Sequence, residues 1–434
     1  MSSEAAVHLW GRRIGGVLDE PGATAAVFQY DAEFAASGIE VAPLAMPLRT
    51  APYTFPALNP ETFHGLPGLL ADSLPDRYGS SVMDTWLEAQ GRDPADAGTV
   101  ERLCYVGARG MGALEFVPAL AEPGSAADAI QLDALVELAS EVLTERAKLV
   151  ASLKRGEERE AMRQMLSVGT SAGGARAKAV IAWNPRTGEL RSGQIDAGPG
   201  FEYWLLKFDG VKDGRTPGEA EGYGLIELAY ARMAAAAGVE MMPCRVWSEG
   251  GRNHFMTKRF DRVEGDDKLH MQSLGALLHI DYNEPLSHSY EQAFAAMRRL
   301  ELRTAELEQQ FRRMVFNVVA RNQDDHVKNV AFLMDRAGAW SLSPAYDVTY
   351  AYQPDNRWTR VHQMSLNGKR DGFTLADLEA VARNAALKRG TAERVFEEVR
   401  AAVLTWPELA AEAGVPESRA ESIRRAQRLE LQAS

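Results

Sequence analysis

Cysteine is scarce: Cys104 and Cys244 are the two in 434 residues. Two thiols so far apart in sequence exclude a disulfide framework and a Cys-rich metal site, and they suit a reducing compartment. Long apolar runs are missing as well. The stretch that comes nearest to a membrane span, 224–239, is interrupted by Glu227 and Arg232. The opening MSSEAAVHLW has neither the basic start nor the apolar core of a secretion signal. A cytoplasmic protein without membrane contact is therefore the expectation. Basic residues are in deficit: 48 Lys and Arg against 60 Asp and Glu leave a net charge of −12. Such a surface does not attract nucleic acid as a whole, so DNA would be reached through a local patch or a partner. Repeats and long low-complexity tracts are absent too.

What remains is the composition of an ordinary globular protein, with room for two or three domains. Residues 7–48 read as short strands punctuated by Gly15-Gly16 and Pro21-Gly22. From Phe63 to Gln90 the apolar spacing becomes helical, broken at Pro75, and a Gly-rich bend then leads into a short strand near Phe116. Pro118–Ala127 has linker character, and 128–155 reads as one amphipathic helix. Residues 243–262 read as a β-hairpin, and from about 270 onward the pattern is mostly helical.

The densest chemistry lies in 316–350. An apolar run leads into Asn322-Gln323-Asp324-Asp325-His326, with Lys328 and Asn329 just beyond. A strand–turn–strand follows and ends at Tyr346-Asp347. Adjacent acids between segments that look buried need partners. Asp324 precedes Asn329 by five positions, the spacing of a kinase catalytic loop, in which the Asp takes the hydroxyl proton and the Asn holds a metal. A second acid, Asp347, stands where a kinase keeps its Mg²⁺-binding Asp. Asn329 and Asp347 are then ligands suited to Mg²⁺, with Asp324 left free as base. Each fragment alone also reads as a polar turn; the two in order favour the catalytic reading. Asp325 is one position off as an alternative base, and His326 reads as a loop-orienting residue.

Upstream, LSVGTSAGGARAKAVIAW places a Ser/Thr/Gly-rich turn before an apolar strand. Such a turn can cradle phosphate with backbone N–H groups, or be a plain hairpin. Lys207, on the strand YWLLKF, is placed to reach ATP phosphates, and Glu227 on the next helix is placed to pair with it. Each also reads as an ordinary exposed charge. Lys258-Arg259-Phe260-Asp261 leaves the sheet as a hinge, where backbone groups could meet an adenine edge.

Taken together, these segments resemble the HipA family of bacterial serine/threonine kinases over nearly the whole chain. WGRRIGGVL and LLADSLPDRYG resemble its N-terminal subdomain, TSAGGARAK its Gly-rich loop and YWLLKF its ATP-lysine strand. KRFDR resembles its hinge, DDHVKN its catalytic loop, LSPAYDV its metal segment and MSLNGK its C-terminal signature. The resemblance implies a two-lobed, kinase-like α+β fold. The expected boundaries are an N-terminal subdomain at 1–120, a nucleotide-binding part of a mixed α/β N-lobe at 121–262, and an all-helical C-lobe at 263–434. It implies ATP and Mg²⁺ as cofactors, Asp324 as base, and Asn329 and Asp347 as metal ligands. Lys207, Ser171, Gly173, Gly174, Glu227, Arg259 and Phe260 would lie about the nucleotide. Ser171 matches a serine that the family autophosphorylates, with Thr170 adjacent. A phosphate there adds about two negative charges where ATP phosphates must sit. Lys258 departs from the family, standing where a Glu often does.

The expected activity is phosphorylation of a protein Ser or Thr by a growth-arresting toxin, its target a translation component such as an aminoacyl-tRNA synthetase. The expected partner is a HipB-like antitoxin that carries the DNA contacts. A lipid or small-molecule kinase and a catalytically silent corepressor are the alternatives. No account of residues 353–372 emerges from the sequence.

Overall fold

A computed structural model describes residues 3–433 except 21, 121–129, 131, 156–158, 170–175, 212–221, 264–266 and 285–286. At the N-terminal end, strands Glu4–Leu9, Arg12–Leu18, Val27–Tyr30 and Leu114–Val117 form an antiparallel sheet with the first two at its centre. Ala5, Val7 and Leu9 alternate inward, as a half-buried strand requires. They meet Leu69 and Leu70 of helix Gly68–Ala71 and Leu103 and Cys104 of helix Thr99–Val106. This apolar cluster also takes in Met334 from far along the chain, and Trp340 packs on it.

A second sheet is antiparallel throughout, in the order Leu190–Ser192, Lys178–Trp183, Glu202–Lys207, Arg252–Lys258, Cys244–Glu249. The expected hairpin at 243–262 is its last pair. Lys178, Lys207 and Phe255 stand directly opposite one another across three strands and so share one face. Alternation sends Leu206 and Met256 to the other face, against helices Arg77–Ala89, Leu132–Thr144 and Arg159–Val168. The stretch expected to be one helix over 128–155 is two, Leu132–Thr144 and Arg146–Arg155. A straight rod of that length would span about 40 Å. The break at Glu145 lets Leu135 and Val142 reach the same cluster as Leu149 and Leu153.

The C-terminal part is mainly helical, but it is not the all-helical lobe expected. His270–Ser273 pairs with Ala331–Met334, which pairs with Trp340–Leu342. The hairpin was legible. The third strand was not, because MQSLGALLHI reads locally as one helical run, whereas only Leu274–Leu278 coils. Pairing with a segment some sixty positions away outweighs the local pattern, as strand pairing commonly does. Helices Tyr290–Arg299, Thr304–Ala320, Leu375–Asn384, Thr391–Leu404, Trp406–Ala413 and Glu417–Ala426 complete this part. The two-layer mixture of helices and sheets is the α+β class expected. Among the described residues no helix is long and apolar enough to cross a membrane.

Candidate active site

Helix Thr304–Ala320 delivers the polar loop. Leu307, Phe311, Val315 and Val318 recur at helical spacing and are buried. The helix stops at Arg321, which takes a left-handed φ of 61° and donates its N–H to Asn317 O. Gln323 N–H then donates to Ala351 O at 3.1 Å. A single 3₁₀ turn, Val327–Asn329, follows, with His326 Nδ1 accepting from Lys328 N–H at 3.3 Å. After the hairpin, Tyr346 Oη donates to Lys328 O at 2.5 Å, which ties the two acid-bearing loops together.

The adjacent acids have opposite environments. Asp325 is fully buried and accepts from Tyr290 Oη (2.6 Å), His362 Nδ1 (2.8 Å) and Gln363 N–H (2.7 Å). With three donors on its two oxygens and no place in the cleft lining, it anchors the loop. Asp324 is 48% exposed, with His326 Nε2 at 3.8 Å. Asn329 Nδ2 donates to the Asp324 carbonyl at 2.9 Å, which leaves the amide oxygen for another partner. The segment 353–372, opaque in the sequence, now has a role: His362 and Gln363 hold Asp325 from below.

Lys207 reaches across to this loop pair. Its Nζ lies 2.5 Å from Glu227 Oε1 on helix Tyr223–Ala236 and also contacts Asp347 Oδ1. Burial pushes the Lys207 ammonium toward neutrality, but Asp347 and Glu227 outweigh it and hold it above the usual lysine range. Burial raises the Asp347 carboxyl too, yet Lys207 and then Lys178 pull it below the usual carboxylate range. For Glu227 burial prevails over Lys207, and its carboxyl is raised.

Lys207, Glu227, Asp324, Asn329 and Asp347 all line one cleft of about 860 Å³, within the range of small-molecule sites. Arg259 and Phe260 line it as well. The Arg259 guanidinium, however, is buried against Asp261 (2.6 and 2.8 Å), and the backbone N–H of Arg259 donates to Tyr203 O at 2.9 Å. The ring of its neighbour Phe260 tilts against Tyr346 at 5.6 Å. Lys258 is turned to Glu202 at 2.9 Å. Ser171, Gly173 and Gly174, with Thr170, lie outside the described residues.

Sequence reasoning missed the contribution of the N-terminal sheet's flanking segment to this cleft. Asp72 accepts from Ser273 N–H (2.7 Å) and Oγ (3.0 Å) and lies 3.8 Å from Lys328 Nζ. Asp76, which caps helix Arg77–Ala89, forms a buried pair with Lys178 at 3.0 Å. LLADSLPDRYG did show a helix with a break at Pro75. Nothing in it marked the acids as reaching another sheet.

Among the described residues no three His, Cys, Asp or Glu side chains converge as a metal cluster. One carboxylate and one amide oxygen on neighbouring loops still fit Mg²⁺, which keeps waters and substrate phosphates as its other ligands.

Residues 5–117 match the HipA N-terminal domain and residues 170–406 the HipA-like C-terminal domain, so the chain belongs to the HipA family. The fold is also that of the HipA toxin–antitoxin system of Shewanella oneidensis MR-1, solved with HipB and its operator DNA. The TM-score is 0.62 at 15% identity, covering 97% of this chain and 94% of that one. In Sinorhizobium fredii the curated protein Y4mE, whose name provisionally makes it a kinase, is 31% identical over 178 residues. That match covers 38% of this chain and 40% of the length of Y4mE.

Proposed function

We propose that the cleft transfers the γ-phosphoryl group of ATP to a Ser or Thr hydroxyl of a protein. The observation that carries this reading is Lys207, which joins Glu227 of a helix to Asp347 of a loop and lines the same cleft as Asp324. Lys207 would neutralise nucleotide phosphates, and Glu227 would keep its ammonium in place. Asp324, the exposed acid of the pair, would orient the acceptor hydroxyl and take its proton as the oxygen bonds to phosphorus and ADP leaves. Asn329 and Asp347 would hold Mg²⁺, which supplies charge neutralisation at the phosphates. In such a reaction the protein mainly positions groups and stabilises charge.

The HipA family and the HipB-bound Shewanella structure support a toxin role with a HipB-like antitoxin as partner, DNA being reached through that partner. The net charge of −12 suits this division. A translation component such as an aminoacyl-tRNA synthetase is the target class in this reading, the setting is the cytoplasm, and Ser171 is the site of autophosphorylation. Incubation of the protein and of Asp324→Asn with labelled ATP and cell lysate tests it. The expected result is label on Ser or Thr of a lysate protein and on Ser171, both lost in the variant. Label confined to lipids or metabolites would replace the protein substrate. Full growth inhibition by Asp324→Asn would replace catalysis with a binding role.

A further inference from the structure

Asp324 is half exposed, with His326 Nε2 at 3.8 Å from its carboxylate and Asn329 Nδ2 on its carbonyl, and the residues on either side of it supply further anchors. Both neighbours lead to one residue. Gln323 is fully buried. With its amide oriented so that Nε2 donates to Thr359 O (3.0 Å), its Oε1 accepts from Arg428 Nη2 at 3.3 Å. On the other side, Asp325 accepts from His362 Nδ1, and His362 Nε2 lies 3.2 Å from Arg428 Nη1. Arg428 itself is fastened by its N–H to Val319 O on the helix that delivers the loop (2.8 Å) and by its Nη2 to Asp371.

An arginine has donors and no acceptor. His362 Nε2 must therefore offer a lone pair, and the proton sits on Nδ1, facing the Asp325 carboxylate. The Phe373 ring at 5.4 Å packs against the imidazole. One guanidinium thus fixes the side chain before Asp324 and, by setting a histidine tautomer, the side chain after it.

Resting on the phosphoryl-transfer reading, we infer that Arg428 is a positioning residue for Asp324, acting through Gln323 and through the His362–Asp325 pair. It lies beyond residues 170–406, the part that matches the family's C-terminal domain. Losing it would let the loop settle in other registers while the nucleotide-facing groups, Lys207, Glu227 and Asp347, stay as they are.

The full-length protein is compared with Arg428→Met, Arg428→Lys and the control Glu421→Gln. Each is assayed for phosphoryl transfer and for binding of an ATP analogue, and each is labelled with ¹⁵N-histidine for NMR. Arg428→Met is expected to lower kcat on the order of 10–100-fold, as displacement of a reacting group by about 1 Å can, with nucleotide affinity unchanged. Arg428→Lys, which keeps the charge and loses the fork, is expected to fall likewise, whereas Glu421→Gln, whose surface carboxylate pairs with Arg424 and Arg425, stays at the wild-type rate. His362 of the wild type is expected to show an unprotonated Nε2, and Arg428→Met a mixture of tautomers. A protonated Nε2 in the wild type, or a wild-type kcat in Arg428→Met, overturns the inference. Absence of transfer by the wild type would instead defeat the functional reading, and the NMR arm would still decide whether Arg428 sets the His362–Asp325 pair.

Discussion

Glu227 and Asp347 share the same ammonium of Lys207, one reaching it from a helix and one from a loop that follows the C-terminal hairpin. That contact is where the five-stranded sheet and the acid-bearing loops meet. Lys207→Met would leave two carboxylates facing each other without a cation. Lys207→Met and Asp347→Asn are each expected to reduce phosphoryl transfer on the order of 10²–10³-fold, the scale of losing one preorganised charge. Steady-state rates at saturating ATP check this. A wild-type rate in Lys207→Met would sink the assignment.

The two adjacent aspartates should separate cleanly. Asp324→Asn is expected to abolish transfer while leaving stability within about 0.5 kcal/mol, because its side chain is half in solvent. Asp325→Asn would turn an amide N–H₂ toward groups that are all donors. It is expected to cost about 2–3 kcal/mol in urea unfolding as well as activity. Equal stability losses in the two variants would contradict the division of roles.

Asp261 offers a test of how the hinge is braced. It is fully buried and takes Arg259, Arg262 (2.8 Å) and the N–H of Gly112 (2.6 Å). Burial raises its carboxyl, but Arg259 and Arg262 outweigh that and hold it far below 3.8. The folded state therefore releases this proton more readily than the unfolded chain. Its contribution is complete well above pH 3.8 and is lost as pH falls toward the folded value. Asp261→Asn, which leaves buried guanidinium groups short of a counter-charge, is expected to cost about 3–5 kcal/mol at pH 7. The gap to wild type should narrow at pH 3. A gap that widens there would reverse the sign of the argument.

Mild acid should act through the histidines. Burial lowers His270 and His279 to about 4, and His288 likewise with help from Arg370. Each is a base weakened by folding, so between the unfolded value near 6.5 and about 4 the unfolded chain binds more protons. Stability is expected to fall across that window by at least about 1 kcal/mol and to level off below it as far as these groups are concerned. His279, whose Nε2 accepts from Gly68 N–H at 3.0 Å, can be isolated with His279→Gln. The variant should show a shallower slope between pH 6.5 and 4, followed by thermal melts at several pH values.

The parts of the site that could be read in advance are those carried by local order. Asp324, Asn329 and Asp347 announce themselves through spacing across a loop and a hairpin, and Lys207 through its place on an apolar strand. Contacts made across the chain left no such trace. Asp72 and Asp76 look like turn acids in LLADSLPDRYG, and their partners Ser273 and Lys178 are about a hundred or more positions away. His362 gave no sign of holding Asp325, because a buried histidine and a solvated one are the same letter. The strand at His270–Ser273 failed for the same reason: its edge is defined by a partner that local periodicity cannot see. Arg259, expected at a hinge that works through its backbone, lines the cleft, and an acid two residues on takes its fork, a pairing the motif did not announce.

The hairpin that ends in Trp340–Leu342 belongs to two interiors at once, since Met334 is sealed under the first sheet and Trp340 Nε1 donates to Glu40 O at 3.2 Å. Anyone trimming the polypeptide to a catalytic fragment starting near residue 130 would strip the lid from that seam. The product should be sticky and prone to clump, however intact its chemistry looks on paper, and binding work is better begun on the untrimmed polypeptide.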